Sequence, residues 1–159
     1  MKVLIIYESF FGNTEKIAQA IGEGLDSSRD VEVRKVGDVK QKNLEGVNLL
    51  IVGSATRAFR PSPETKRFLG RIPAKSLNGM KAAAFDTRIS TDDIKSRVLG
   101  FMVNMFGYAA RPISEKLRKK GAKIVISPEG FYVKDNEGPL KESELDRARE
   151  WAENIINAG

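Results

Sequence analysis

Short apolar runs recur along the chain with amphipathic segments between them, and this alternation limits the possible folds more than any other feature. Most of the runs are continuous rather than alternating, which is typical of strands buried on both faces of a parallel sheet. The five predicted strands are residues 3–7, 31–36, 49–53, 81–85 and 123–126. The alternation continues through the chain without a linker or an internal repeat, so it predicts a single doubly wound α/β domain over residues 1–159.

The segments between the strands carry helical patterns. Ile17, Ala20 and Ile21 fall on one face of a first helix, and Pro63 suits the first turn of a second. A third pattern ends before Gly121, and a fourth presents Trp151 among smaller apolar residues. These patterns predict helices on both faces of the sheet.

Two segments depart from this alternation. Residues 37–46 are polar and predict at most a short helix. Residues 90–111 are long for one connection and rich in Met and Phe. One interpretation is an extended helix whose apolar face packs on the sheet. The other is a subunit contact or a flap over a ligand, because Met and aromatic residues are common at interfaces.

The composition excludes several kinds of chemistry. With no Cys and no His, the chain lacks a thiol nucleophile, a disulfide and the commonest general base. Chemistry performed by an organic cofactor fits that absence. The longest apolar region, residues 98–113, includes Arg111 and Pro112 and does not predict a membrane span, and the N-terminus lacks a signal-peptide pattern. We therefore expect a soluble cytoplasmic protein.

The net charge of the chain is +6. A charge of this size indicates either a partner with an acidic surface, since it steers encounter, or solubility alone. The basic residues are spread along the sequence without a nucleic-acid motif, so neither a nucleic acid nor a membrane is an expected partner.

The turn after the first strand is the strongest candidate for a binding site. Its residues are Ser9, Phe10, Phe11, Gly12, Asn13 and Thr14. They provide two hydroxyls, an amide, a glycine that lets the backbone approach a ligand, and the N-terminus of a helix. This combination suits a phosphate, although a well-capped helix start has the same composition.

Two further segments follow the third and fourth strands, at residues 54–60 and 86–90. Ligands of open α/β sheets bind outside the carboxyl ends of the strands. We therefore expect both segments to converge with residues 9–14 at one edge of the sheet.

The strand, the motif Ser9-x-x-Gly12-Asn13-Thr14 and the following helix resemble the FMN phosphate loop of the flavodoxin family. The resemblance covers nearly the whole chain and implies a five-stranded parallel sheet of order 2-1-3-4-5 with FMN as the cofactor. It also implies that the loops after strands three and four flank the flavin ring. The cofactor-binding residues implied in this way are Ser9, Phe10, Phe11, Gly12, Asn13, Thr14, Ser54, Ala55, Thr56, Arg57, Ala58, Phe59, Asp86, Thr87 and Arg88.

Several features depart from the usual pattern of that family. Phe11 stands where many members have a Thr, so it offers only its backbone N–H. Phe59 is the one aromatic of the first flavin loop, and the second loop has none. The ring is then less enclosed than usual, or another subunit covers part of it. Low-potential carriers of this family are typically acidic, whereas this chain is basic.

Arginines in the two flanking loops lead to a hypothesis about redox potential. Arg57, Arg60 and Arg88 are placed near the edge of the ring that becomes negative on reduction. A unit charge at about 4 Å is worth roughly 4 kcal/mol at an effective dielectric constant near 20. The hypothesis is a less negative potential for the second one-electron reduction than acidic flavodoxins have. The alternative is that these arginines point into solvent or pair with acids such as Asp86.

The sequence as a whole favours an FMN-binding protein that carries electrons between redox partner proteins, as a monomer or a homodimer. No residue of such a carrier needs to act as an acid or a base, since the flavin performs the chemistry. One alternative is an FMN-dependent NAD(P)H:quinone oxidoreductase. A second alternative is a binding module that has the fold and no flavin.

Overall fold

A parallel β-sheet forms the centre of the computed structural model, which describes residues 1–25, 27, 29–56, 60–89, 108–135 and 137–159. Its strands are β1 (Lys2–Glu8), β2 (Asp30–Lys35), β3 (Leu49–Ala55), β4 (Lys81–Ile89), β5 (Lys123–Ile124) and β6 (Glu129–Val133). Their order is β2-β1-β3-β4-β5, with β6 also pairing with β4, and each of these pairs is parallel. The predicted order is confirmed.

The edge next to β4 corrects the prediction of five strands. There β5 pairs only with the start of β4, where Lys81 lies opposite Lys123, and β6 pairs with its end, from Phe85 opposite Glu129 onward. The predicted fifth strand, residues 123–126, was too long, and β6 was missed. Pro128 lies between the two strands and has no N–H to donate to the ladder, so pairing breaks there and resumes afterwards.

The described part of the chain contains four α-helices. They are α1 (Asn13–Gly24), α2 (Pro63–Arg71), α3 (Ala110–Lys119) and α4 (Glu144–Ala158). The polar segment after β2 forms only two short 3-10 turns, Val36–Asp38 and Gln41–Leu44, as predicted. None of the helices in the ranges listed above is long and apolar enough to cross a membrane. Both interpretations of residues 90–111 concern mainly residues 90–107, which lie outside the described residues.

The two faces of the sheet carry separate apolar cores. Helices α1 and α4 cover one face, where Phe85, Phe131 and Trp151 pack edge to face with ring centroids 6.0–6.2 Å apart. Each such pair contributes about 0.5–1.5 kcal/mol beyond the burial of its area. Helices α2 and α3 cover the other face, with Ile113 and Leu117 fully buried. Alternate strand residues thus face two different cores, which explains why the strands are apolar throughout.

Candidate functional site

Three loops meet at the carboxyl edge of the sheet, where β1, β3 and β4 end. They surround a cleft, called here the edge cleft. Nine residues of the predicted site line it, namely Ser9, Phe10, Phe11, Asn13, Thr14, Ala55, Thr56, Thr87 and Arg88. Ile89, which belongs to the predicted segment 86–90, and Val133, which was not predicted, also line it. The structure therefore brings the described parts of all three predicted segments together.

The turn between β1 and α1 has an open helix start. Gly12 occupies the N-cap position with φ 89° and ψ −5°, a left-handed conformation that favours glycine. Its N–H donates to Ser9 Oγ at 3.0 Å, which leaves the Ser9 hydroxyl proton available. Within the described residues, no side chain caps α1. The N–H groups of its first turn are therefore available to an anion in the cleft.

Asn13 and Thr14 fasten this turn to neighbouring elements. Thr14 is buried, and its Oγ1 lies 2.7 Å from Oγ1 of Thr87 on β4. Asn13 Nδ2 donates to the carbonyl oxygen of Glu137 at 3.1 Å. The amide that the sequence offered to a ligand is thus already engaged with the connection between β6 and α4.

That connection packs against the turn, and the sequence reasoning missed it. Gly138 has φ 104°, and a Cβ built on it would lie 2.7 Å from Asn13 Nδ2, so the chain passes closely against the turn. Lys134 N donates to Pro139 O and Lys141 N donates to Tyr132 O, both at 2.9 Å, which closes the connection into a hairpin. The Gly138-Pro139 dipeptide is a turn signal that could have located it.

Phe10 and Phe11 stand at the outer rim of the edge cleft. Their side chains are 44% and 49% exposed, although both also line the cleft. A pair of exposed adjacent aromatics at the mouth of a site offers apolar surface to a ligand or to a partner.

The loop after β3 is held by its own first residues. Ser54 is fully buried, and its hydroxyl accepts from Ser62 N at 3.0 Å and donates to Ala55 O at 2.9 Å, so its side chain shapes the loop instead of lining the cleft. Thr56 N donates to Thr87 O at 3.0 Å. Three predicted site residues of this loop, Arg57, Ala58 and Phe59, lie outside the described residues.

Asp86 and Arg88 lie on the face of β4 opposite to Thr87, because side chains alternate along a strand. Asp86 is fully buried and accepts from Arg88 Nε at 2.6 Å, Arg88 Nη2 at 2.8 Å and Ala110 N at 2.9 Å. The Arg88 guanidinium also stacks on Tyr108, 3.8 Å from the ring centroid. Asp86 therefore accepts a hydrogen bond from the first turn of α3 and does not line the edge cleft.

The charge of Arg88 is balanced by this contact. Burial raises the pKa of the Asp86 carboxyl, and the hydrogen bonds and charge of Arg88 oppose that shift. The Arg88 side chain is only 17% exposed, so the pair is a buried ion pair. The sequence left two alternatives for Arg88, an arginine that acts on the flavin ring or one that pairs with Asp86. The geometry agrees with pairing to Asp86.

Tyr7 supports the turn from below. It is buried at the end of β1, and its hydroxyl donates to Glu15 Oε1 at 2.9 Å in the first turn of α1. Burial, together with that hydrogen bond, raises the pKa of Tyr7 to about 12. The phenol therefore remains protonated and holds the start of α1 over the strand.

Comparison with known proteins assigns the family. The family model described as Flavodoxin matches residues 5–151. A flavodoxin of Clostridium saccharobutylicum is 29% identical over 167 residues, covering 99% of this chain and 96% of that protein. An NAD(P)H dehydrogenase (quinone) of Methylocella silvestris is 31% identical over 109 residues, covering 53% of this chain and 55% of that protein.

A solved structure has the same fold. The crystal structure of oxidised flavodoxin 2 from Bacillus cereus matches with a TM-score of 0.80 and 23% identity over 100% of both chains. The family model covers most of the chain and the sheet order agrees with the order that the resemblance implied. The chain therefore belongs to the flavodoxin family, whose members transfer electrons through a bound flavin.

Proposed function

We propose that this chain binds FMN non-covalently in the edge cleft and carries electrons between redox partner proteins. The observation that carries the cofactor assignment is the open start of α1, where Gly12 is the N-cap and no described side chain satisfies the first-turn N–H groups. A phosphate ester is the part of FMN that such a site selects, since it brings negative charge to the positive end of a helix.

The residues of the turn fit a phosphate without a cationic side chain. The N–H groups of Asn13 and Thr14 and the free hydroxyl proton of Ser9 are the donors that would hold it. Thr14 Oγ1 shares a hydrogen bond with Thr87, so it would contribute mainly by fixing the turn. In this assignment Phe11 contributes its backbone alone.

The remaining lining suits the rest of the cofactor. Ala55 and Thr56 on one side and Thr87, Ile89 and Val133 on the other provide a surface of mixed polarity for the ribityl chain and the ring. Bound FMN would supply the acceptance and release of electrons, so the chain needs only to bind it, orient it and limit its contact with water. The absence of His and Cys is compatible with that role.

The carrier function is favoured over a reductase by the extent of the matches. The flavodoxin of Clostridium saccharobutylicum matches over almost its whole length, whereas the quinone dehydrogenase of Methylocella silvestris matches over about half.

We infer acidic redox proteins as the partners, because the chain carries a net charge of +6. The single-domain organisation and the cytoplasmic location stay predictions.

The test compares FMN with riboflavin, which lacks the phosphate. Each flavin is titrated into the flavin-free protein, and binding is followed by quenching of flavin fluorescence. We expect FMN to bind at least about a hundredfold more tightly, since each hydrogen bond to a charged group contributes about 1.5–3 kcal/mol. Equal affinities would show that the turn does not bind phosphate, and no binding of either flavin would favour the flavin-free module.

A second measurement separates carrier from enzyme. The FMN-loaded protein is mixed with NADPH or NADH and a benzoquinone, and oxidation of the nicotinamide is followed by its absorbance. A carrier shows turnover only when a separate reductase is added. Rapid turnover without one would favour the quinone oxidoreductase.

A further inference from the structure

A second depression lies beside α2, on the face of the sheet that α2 and α3 cover. It is formed between the 3-10 turns after β2 and helix α2, and we call it the basic groove. Val39 and Phe68, both partly buried, form its apolar floor, and Gln41 Nε2 donates to Arg71 O at 3.2 Å across one end. The groove is therefore a built feature with an apolar base.

The rim of the basic groove is positively charged. Lys40, Arg67 and Arg71 border it and are exposed. Among the described residues, neither Arg67 nor Arg71 has a carboxylate within 4.0 Å of its guanidinium. Arg118 of α3 and Arg149 of α4 differ, since each pairs with an acid at 2.6–2.9 Å. Two guanidinium groups without an internal partner thus face a common opening.

The one acid of the rim has a compensating contact. Glu64 lies at the start of α2 and hydrogen-bonds Glu8 at the end of β1. Burial raises the pKa of Glu8, and the hydrogen bond and charge of Glu64 act in the same direction, while Lys35 opposes them. Glu64 is outnumbered at the rim by Lys40, Arg67 and Arg71, so the groove retains a positive field.

The position of the groove connects it with the edge cleft. Glu8 immediately precedes the turn at Ser9, and α2 begins at the same carboxyl edge of the sheet as α1. A protein seated along α2 would therefore approach the edge at which the edge cleft opens. Small anions alone do not explain the apolar floor, whereas a protein interface commonly combines an apolar centre with arginine contacts.

We propose that the basic groove is the docking site for an acidic segment of a redox partner protein, with one apolar side chain of that segment resting on Val39 and Phe68. This docking proposal rests on the proposed carrier function. Carboxylates of the segment pair with Lys40, Arg67 and Arg71, and these pairs both steer the encounter and fix the orientation of the partner.

The test uses a synthetic probe and the FMN-loaded full chain. The probe is a seven-residue peptide of alternating Asp and Glu with a central Leu, and a second peptide carries Ser in place of that Leu. Binding is followed by amide chemical shifts in ¹H–¹⁵N NMR spectra at low salt. We expect shifts concentrated in residues 36–41 and 63–71, and weaker binding by the Ser peptide.

Matched variants locate the binding. The double substitution Arg67→Gln and Arg71→Gln should weaken the Leu peptide about fivefold, because each exposed charge pair contributes about 0.2–1 kcal/mol. The control is Lys116→Gln with Lys119→Gln, which removes two exposed charges from α3. That control should leave the affinity unchanged within about twofold.

Three outcomes overturn the docking site. They are shifts spread over α3, equal weakening by the two double variants, or equal affinity of the Leu and Ser peptides. Failure of the proposed carrier function can be distinguished from failure of the docking site, because FMN affinity is measured on the same samples. Loss of FMN binding with intact peptide binding contradicts the function alone, and normal FMN binding without peptide binding contradicts the docking site alone.

Discussion

Three helices begin near the same edge of the sheet, and they differ in what satisfies their first N–H groups. At α2, the Ser62 side chain accepts from Thr65 N at 3.2 Å. At α3, the buried carboxylate of Asp86 accepts from Ala110 N, and Thr56 Oγ1 accepts from Ala109 N. At α1, the described residues provide no side-chain cap. Of these three described helices, α1 is the one whose N-terminus is left open, and it faces the edge cleft; the start of α4 also lacks a side-chain cap but does not line that cleft.

This difference separates helix starts that are complete in the folded protein from the one that is proposed to bind a ligand. A capped start is complete in the folded protein, so an anion there would compete with an existing hydrogen bond. An uncapped start lacks a partner until water or a ligand provides one. The comparison therefore predicts that changes at α2 and α3 affect stability, while changes at α1 affect ligand affinity.

The largest effect is expected at α3, from Asp86→Asn. The substitution breaks a buried ion pair with Arg88 and weakens the acceptor for Ala110 N, and we expect the free energy of unfolding to fall by about 3 kcal/mol. Chemical denaturation measures it. Glu115→Gln is the control, because its pair with Arg118 is exposed and should contribute less than about 1 kcal/mol. Similar losses in both variants would contradict a structural role for Asp86.

The next effect concerns the affinity of α1 for FMN. Gly12→Ala places a Cβ at φ 89°, which costs roughly 1–2 kcal/mol and displaces the turn from its left-handed conformation. We expect FMN to bind about tenfold more weakly in a fluorescence titration.

Gly70→Ala provides the matched control for that substitution. Gly70 lies in α2, where a Cβ meets nothing within 4 Å, and the change should leave FMN affinity unaltered. If both alanines weaken FMN equally, the conformation of Gly12 is not what the cofactor requires.

A smaller effect is expected at the cap of α2. Ser62→Ala removes the hydroxyl that contacts Thr65 N and Thr65 Oγ1, and we expect about 1 kcal/mol less stability. FMN affinity measured on the folded protein should remain within about twofold of the parent. A large loss of FMN affinity with little loss of stability would reverse the distinction between α1 and α2.

The smallest expected effect is a pH dependence of the stability, which arises from Tyr7 beneath the start of α1. The phenol of unfolded Tyr7 loses its proton near pH 10, and the pKa in the folded protein is raised to about 12. The stability from this group is therefore fully present below pH 10 and declines as the pH rises from about 10 to 12.

Tyr7→Phe checks this pH dependence. We expect the stability difference between parent and variant to shrink by about 1 kcal/mol between pH 9 and pH 11, measured by denaturant unfolding at each pH. A constant difference would show that the hydrogen bond to Glu15 does not hold the phenol proton.

The sequence predicted the sheet order and the convergence of the three loops, but it did not predict the roles of individual polar residues. Asp86 and Thr87 are adjacent and were assigned to the same site, yet they point to opposite faces of β4. The strand continues beyond Phe85 to Ile89, and that longer strand decides which side chain reaches the cleft. Nothing in the local pattern marks the extension, because polar residues weaken the signal of a buried strand.

Alone, the sequence determined the α/β alternation, the strand order through a family resemblance, and the position of the turn that is proposed to bind a phosphate. These follow from local features, namely apolar periodicity and a glycine between a strand and a helix. Only the tertiary structure decided that Asp86 caps α3, that Glu137 occupies the Asn13 amide and that β6 completes the edge. Each of these depends on contacts between residues far apart in the chain, and a hydrogen bond of that kind leaves no periodic trace in the sequence.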